Sequence, residues 1–265
     1  MVDDTKFLLL LLLLRSSSLC SGSELDIQCL KSIQQSVIDP RGTLKFSWNF
    51  SNGTNGFLCK FTGVECWHPD ENRVLSLRLG NLGLEGPFPQ GLQNCTSMSS
   101  LDLSSNNFSG PIPPDIARQM PYLTSLDLSY NSFSGSIPEN ISNMTYLNLL
   151  HLQDNQLSGP IPVEFNNLTR LTTFNVADNL LSGPVPLLLQ KFDAYYFGGN
   201  QGLCGTPLDK CPRRRRWRIH IRLHRINDQS SIGAAIGFVV GFVVAFYFPH
   251  RFIFSKRLRA YVVRI

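Results

Sequence analysis

No CxxC spacing occurs in the 265-residue sequence, and no pair of histidines accompanies its cysteines. Zinc binding by clustered Cys is therefore disfavoured, since structural zinc sites use such spacings. No protein-kinase signature is present, and no nucleophile and base stand in a catalytic pattern, which argues against an enzyme. Long apolar runs are scarce. Phe7–Leu14 is only eight residues, too short to span a bilayer as a helix, and Ile232–Phe248 is seventeen residues without a charge. The net charge of +5 is unevenly spread, because arginine is concentrated after Cys211. The total therefore gives no support for nucleic-acid binding by the rest of the chain.

What is present is repetition. From Val74 to Pro186 five segments share one pattern of leucine, asparagine, glycine and proline, starting at Val74, Met98, Leu123, Leu147 and Leu171. The period is 24 residues, with one unit of 25. One unit reads Leu147, Leu150, Leu152, Asn155, Leu157, Gly159, Ile161 and Pro162. Its apolar residues turn inward around a short strand, and a coil this small buries them only against stacked neighbours, which predicts a solenoid. Asn106, Asn131, Asn155 and Asn179 carry an amide that donates and accepts, suited to bonding the turn backbone of adjacent coils. Leu82 takes this place in the first unit. Gly86, Gly110, Gly135, Gly159 and Gly183 are expected at a tight bend after the strand. Pro113, Pro138, Pro162 and Pro186 recur where a helix would have to run on, which excludes a Leu-rich helical bundle.

The segments LDLSSNNFSGPIP (Leu101–Pro113) and LDLSYNSFSGSIP (Leu126–Pro138) resemble the plant-type leucine-rich repeat, LxxLxLxxNxLxGxIPxx, and the likeness extends over about residues 24–211. SWNF at Ser47–Phe50, CKFTGVEC at Cys59–Cys66 and the GNxGLCGxPL segment within Phe192–Cys211 look like the two caps of plant receptor ectodomains. The combination is similar to the short five-repeat ectodomains of plant receptor kinases and pseudokinases that associate with the brassinosteroid and immune co-receptor. The resemblance implies an α/β solenoid of five repeats between disulfide caps and no cofactor. As partner it implies a leucine-rich-repeat co-receptor kinase ectodomain.

The domain expectations follow. Residues 1–23 read as a secretory signal, with Lys6 before the apolar run and a Ser-rich stretch after it. Residues 24–73 form the N-terminal cap, in which Leu25, Cys29, Leu30, Ile33, Val37 and Ile38 fall at helical spacing and Asp39-Pro40 ends the helix. Residues 74–186 are the repeats and 187–211 the C-terminal cap, where the repeat dissolves. Residues 212–231 are a basic linker, 232–248 a single transmembrane helix followed by a short cytoplasmic tail, 249–265. The signal places the repeats outside the cell, at the plasma membrane. Gly233, Gly237 and Gly241 lie on one face of that helix, a spacing that permits pairing and is also common without it.

Six cysteines remain beyond the signal. Cys59 with Cys66 and Cys204 with Cys211 are close in sequence at the two ends of the repeats and are predicted disulfides. Cys29 and Cys95 fit either buried free thiols or a long-range bridge. Asn49, Asn52, Asn94, Asn107, Asn140, Asn143 and Asn167 begin Asn-x-Ser/Thr sequences, glycan acceptors in an exported chain. The spacing of Asn49 with Asn52, and of Asn140 with Asn143, makes full occupancy of both pairs doubtful.

Strand positions flanking the inward leucines point to the concave face, the usual binding surface of a curved solenoid. There the sequence places Arg78, Asp102, Asp127, Tyr130, His151, Gln153, Asn175 and Asp178 as candidate partner contacts, Tyr130 and His151 first, the competing reading being that most of these polar residues only keep the face solvated. Arg213–Asp228 alternates Trp217, Ile219, Ile221 and Leu223 with basic residues. It fits a solvated linker, a surface for wall pectin or lipid head groups, or a processing site. The functional expectation is a kinase-less, membrane-embedded receptor-like protein that binds a partner ectodomain or an extracellular peptide and modulates immune or growth signalling. A soluble wall protein that inhibits pectin-degrading enzymes, and a non-functional derivative of a receptor-kinase gene, are the competing readings.

Overall fold

The computed structural model describes residues 21–51 and 56–212. The expected signal, linker, transmembrane helix and tail, with Asn52, Gly233, Gly237 and Gly241, lie outside the described residues. Among the described residues no helix is long and apolar enough to cross a membrane.

The described chain is a solenoid with two parallel sheets, one on each side of a leucine core. The first sheet contains β1 (Val64–Cys66), β2 (Val74–Arg78), β4 (Ser100–Asp102), β6 (Ser125–Asp127), β8 (Leu149–His151) and β10 (Thr173–Asn175) in that spatial order. Strands β2 to β10 are the five repeats, in register through Leu77, Leu101, Leu126, Leu150 and Phe174. All five of these side chains are buried, so each coil roofs its neighbour. Strand β1 comes from the cap and runs antiparallel to β2, which closes an edge that would otherwise offer open backbone groups.

The second sheet contains β3 (Glu85–Gly86), β5 (Asn107–Pro111), β7 (Ser132–Ser136), β9 (Gln156–Gly159), β11 (Leu180–Pro184) and β12 (Gly202–Cys204). The repeating glycines lie within these strands and not at a bend after the first one. Gly110, Gly135, Gly159 and Gly183 have φ of +81°, +80°, +79° and +88°. A Cβ on Gly110 would meet nothing within 4 Å, so the requirement is backbone handedness rather than space.

The asparagines form the ladder expected of them. Asn155 Nδ2 donates to the carbonyls of Leu128, Leu152 and Gln153 at 3.0, 3.1 and 3.2 Å, and its Oδ1 accepts from Phe133 N–H at 2.9 Å. Asn106, Asn131 and Asn179 repeat this set. Asn200 repeats it too, donating to Val176, Phe197 and Gly198 and accepting from Leu181 N–H. The repeat therefore does not dissolve after Pro186: residues 192–204 form a shortened sixth coil whose strand β12 pairs with β11.

The N-terminal cap is α1 (Ser21–Ser36) and α2 (Thr43–Ser47) packed on the first coil. Its helix ends at Ser36, two residues before Ile38, whose backbone bonds Glu85 in an isolated bridge while its side chain stands in solvent. Cys29, Leu30, Ile33 and Val37 are buried as expected, and only the first inward position differs. Asp26 is buried with Cys29, Leu30 and Ile33 at helical spacing, and Leu25 is half-exposed. Cys29 and Cys95 are joined, Cα atoms 5.5 Å apart, which decides for the long-range bridge. Cys59–Cys66 and Cys204–Cys211 are the two expected disulfides.

Candidate functional site

Two surfaces of the solenoid carry exposed side chains suited to contact: the concave first sheet, and the corner where each coil turns into its strand.

On the concave sheet, much of the polar chemistry is already committed. Arg78 pairs with Glu65 at 2.9 Å. Asp102 and Asn175 each accept from a backbone N–H two residues on, Ser104 at 2.8 Å and Ala177 at 3.0 Å. His151 Nδ1 lies 3.1 Å from Asp127 Oδ2 across one coil. Burial pushes the Asp127 carboxyl up, but hydrogen bonds from His151 and Ser129 outweigh it and hold the group below the usual carboxylate range. The Ser129 hydroxyl beside the pair donates to Asp127 Oδ1 at 2.6 Å and not to His151, so the three groups lack the nucleophile–base contact of a hydrolytic triad. Gln153 keeps a buried Oε1 without a donor.

Tyr130 differs from these. It is 54% exposed and adopts φ +54°, as do its counterparts Asp154 and Asp178 at +55° and +52° one and two coils on. The sixth coil extends the face with Tyr195 and Tyr196, whose rings meet edge to face at 5.6 Å. The negative charge of Asp154, with smaller contributions from burial, Tyr195 and Asp178, raises the Tyr130 phenol. Tyr195 and Tyr196 escape sequence reasoning because they belong to the coil that the sequence hides. Their signal is Asn200, which restores the asparagine phase.

The corner surface is the larger omission. Immediately before the first buried residue of successive coils stand Arg73, Ser97, Tyr122, Tyr146 and Arg170. Arg73 lies over the Trp67 ring at 5.4 Å and donates from Nε to Ser97 Oγ at 2.7 Å, while Trp67 Nε1 donates to the Ser97 carbonyl at 3.2 Å. Tyr122 and Tyr146 are 6.1 Å apart, and Arg170 lies over Tyr146 at 5.3 Å. Trp67, Tyr122 and Tyr146 are 47%, 59% and 43% exposed. The result is one aromatic and cationic stripe from the N-terminal cap to the end of the fourth repeat. Among the described residues, neither Arg73 nor Arg170 forms an ion pair.

The outer side is different again. A groove of about 830 Å³ runs along Pro138, Pro162 and Pro186 with Val163 and Leu187 exposed. The sequon asparagines lie on this side or in the cap. Asn94, Asn143 and Asn167 end outer 3-10 turns, and Asn107 opens β5. Asn140 donates to the Pro114 carbonyl at 2.8 Å and accepts from Asn143 at 3.3 Å, so these two acceptors occupy one patch. No described sequon asparagine lies on the concave strands or in the stripe. Among the described residues no group of His, Cys, Asp and Glu could hold a metal ion.

Comparison with known proteins gives this geometry a family. The chain matches the leucine-rich repeat over residues 96–157 and the leucine-rich repeat N-terminal domain over residues 23–67. It is 50% identical over 107 residues to the inactive receptor-like kinase BIR2 of Arabidopsis thaliana, covering 40% of this chain and 18% of that protein. A probable inactive receptor kinase of the same plant is 57% identical over 205 residues, covering 77% of this chain and 34% of that protein. The chain thus spans about a fifth to a third of the length of these curated relatives. The solved BIR2 ectodomain is 49% identical with a TM-score of 0.69, and covers 70% of this chain and 98% of its own. BIR3, solved in a complex with SERK2 from Arabidopsis thaliana, is 46% identical with a TM-score of 0.67 over the same shares. The chain belongs to the plant leucine-rich-repeat receptor-like proteins, alongside BIR2 and its relatives.

Proposed function

We propose that this chain is a cell-surface receptor-like protein that captures the ectodomain of a leucine-rich-repeat co-receptor kinase of the SERK kind. Signalling then depends on the partner's kinase, and the effect of capture is to modulate immune or growth signalling. The observation that carries the reading is the stripe from Trp67 to Arg170. Trp, Tyr and Arg are the residues enriched at interface hot spots, and here they form one exposed line across four coils and the cap. Their stacking is set before any partner arrives, so little side-chain freedom remains to be lost on binding. The likeness to BIR3, which was solved with SERK2, supports the choice of partner.

Anchoring by residues 232–248 and orientation by residues 1–23 complete the proposal. Glycans on Asn94, Asn107, Asn140, Asn143 and Asn167 would cover the outer side and leave the stripe and the concave sheet open. Tyr130 is the concave residue best placed to add a contact, since His151 is already engaged by Asp127.

The test is binding of the full chain, in plant membranes, to purified SERK2 ectodomain. Capture that weakens roughly tenfold or more in Tyr122→Ala/Tyr146→Ala supports the stripe. Secretion of the chain into the medium without capture would support the soluble wall-protein reading instead.

A further inference from the structure

Co-receptor capture through the stripe makes no use of the outer groove, yet Val163 and Leu187 stand there 64% and 75% exposed. They share one coil position, directly after Pro162 and Pro186, where the third repeat has Glu139 after Pro138. The groove therefore changes along its length, from a polar end in the third repeat to an apolar end in the fifth. Exposed apolar side chains lined up in a groove mark a surface that another group covers.

The polar end holds a modification acceptor. Asn140 begins the sequence Asn-Ile-Ser and is the described sequon asparagine that lines this groove. Its amide is held at both atoms: Nδ2 donates to the Pro114 carbonyl at 2.8 Å, and Oδ1 accepts from Asn143 at 3.3 Å. Pro114 is itself a lining residue, so the nitrogen that takes a sugar lies at the groove wall. One amide proton serves the bond to Pro114 and the other is available for replacement. In that step Nδ2 bonds to C1 of the first N-acetylglucosamine of a lipid-diphosphate oligosaccharide. The C1–O bond to the diphosphate breaks, and the amide proton leaves with the diphosphate. Transfer occurs on the exported chain, and folding then fixes the direction in which the sugar departs.

The groove matches an oligosaccharide in chemistry and length. Ring C–H faces and acetyl methyl groups suit the prolines, Val163 and Leu187. Sugar hydroxyls suit Glu139 and Glu164, which are exposed lining residues and form no ion pair among the described residues. Strands β7, β9 and β11, which lead into the groove's prolines, are successive neighbours, so the third to the fifth coil is about two strand spacings, roughly 10 Å. The first rings of an N-glycan extend that far. We propose that the oligosaccharide on Asn140 lies along this groove and covers its apolar end at Val163 and Leu187. The inference rests on the reading of the chain as an exported cell-surface protein.

The experiment uses the full chain from plant cells treated with a mannosidase inhibitor, purified into nanodiscs. Glycopeptide mass spectrometry reads occupancy, and hydroxyl-radical footprinting reads the exposure of Val163 and Leu187 before and after an endoglycosidase that leaves one N-acetylglucosamine. In the wild type Asn140 should carry a glycan, and trimming should raise labelling of both side chains at least about twofold. S142A removes the sequon but keeps the Asn140 amide, so it should show the raised labelling untrimmed and no further rise on trimming. N143Q and N167Q should behave as the wild type. Labelling unchanged by trimming overturns the proposal, as does N143Q reproducing S142A. Protection that survives trimming and falls on dilution overturns it too, and assigns the groove to a second copy of the chain. SERK2 ectodomain binding on the same samples reports the stripe and should be unaffected in S142A. Glycans at other sequons but not at Asn140 overturn this proposal alone, whereas a chain without any glycan overturns the export reading with it.

Discussion

The repeats and the N-terminal cap bury similar leucine cores but satisfy their polar groups in opposite ways. In the repeats one residue type, asparagine, pairs turn backbone at five successive levels, from Asn106 to Asn200. The described part of the cap has single ties in place of a ladder: Asn72 accepts from Leu58 N–H, and Gln34 donates to the Leu44 and Trp48 carbonyls. It closes the end with an antiparallel strand and two disulfides, one reaching from Cys29 in α1 to Cys95 in the first coil, and it tolerates a buried carboxylate at Asp26. Repetition satisfies polar groups as a by-product of stacking, whereas an end has a neighbour on one side only and needs covalent ties.

The contrast is broken most severely in the middle of the ladder. Asn155→Ala orphans the Phe133 N–H, at about 1–3 kcal/mol, and removes one of two amide donors from each of the Leu128 and Leu152 carbonyls, which keep Asn131 and Asn179, at about 0.5–1.5 kcal/mol each, so the total should be roughly 2–6 kcal/mol. Urea unfolding of the purified chain measures it, and a loss below about 1 kcal/mol would show that water substitutes for the amide. In the cap, Cys29→Ser/Cys95→Ser opens a loop with a sequence separation of 66 and should cost about 4 kcal/mol. Cys59→Ser/Cys66→Ser, with a separation of 7, should cost about 2.5 kcal/mol in the same assay.

Asp26 sharpens the comparison through pH. Neither oxygen has a full hydrogen bond, and burial lifts the carboxyl from 3.8 to about 7, with the Val74 backbone N–H and the Arg73 charge only partly opposing. The folded state therefore holds this proton up to about pH 7, while the unfolded chain releases it near pH 4. The stabilisation is fully present below about pH 4 and is lost as pH rises through 7, up to roughly 3 kcal/mol in all. Asp26→Asn should flatten that part of the stability profile and raise stability at pH 8. An unchanged profile would mean that the carboxylate is solvated.

The smallest effect belongs to a single glycine. Gly135→Ala meets only Pro111 Cβ at 3.9 Å, so the cost is that of φ +80°, about 1–2 kcal/mol, and Gly135→Asn should recover part of it.

Much of this fold is legible in the sequence because a solenoid reuses one solution: the leucine phase gives the first sheet, and asparagine gives the ladder. What escapes does so for physical reasons. Asn179 and Asn200 are 21 residues apart, against 24 for Asn155 and Asn179, so the sixth coil falls out of period although it makes the same hydrogen bonds. Cys29 and Cys95 are brought together only by packing of α1 on the first coil. Asp26 breaks the rule that inward helix positions are apolar, so sequence reasoning puts Leu25 in its place while the rest of the face, Cys29, Leu30, Ile33 and Val37, is read correctly. The stripe is invisible for a different reason: its column reads Arg73, Ser97, Tyr122, Tyr146 and Arg170, with Trp67 added from the cap, and repeat logic treats that position as variable.

The central claim is that the stripe, not the concave sheet, dominates capture of a co-receptor ectodomain. The direct measurement is the affinity of SERK2 ectodomain for the full chain and for three variants: Y122A/Y146A, R170E and Y130A/H151A. The account predicts losses of roughly tenfold or more for the first two and less than about threefold for the third. Unchanged affinity in Y122A/Y146A and R170E, with loss in Y130A/H151A, would contradict it and move the interface to the concave sheet.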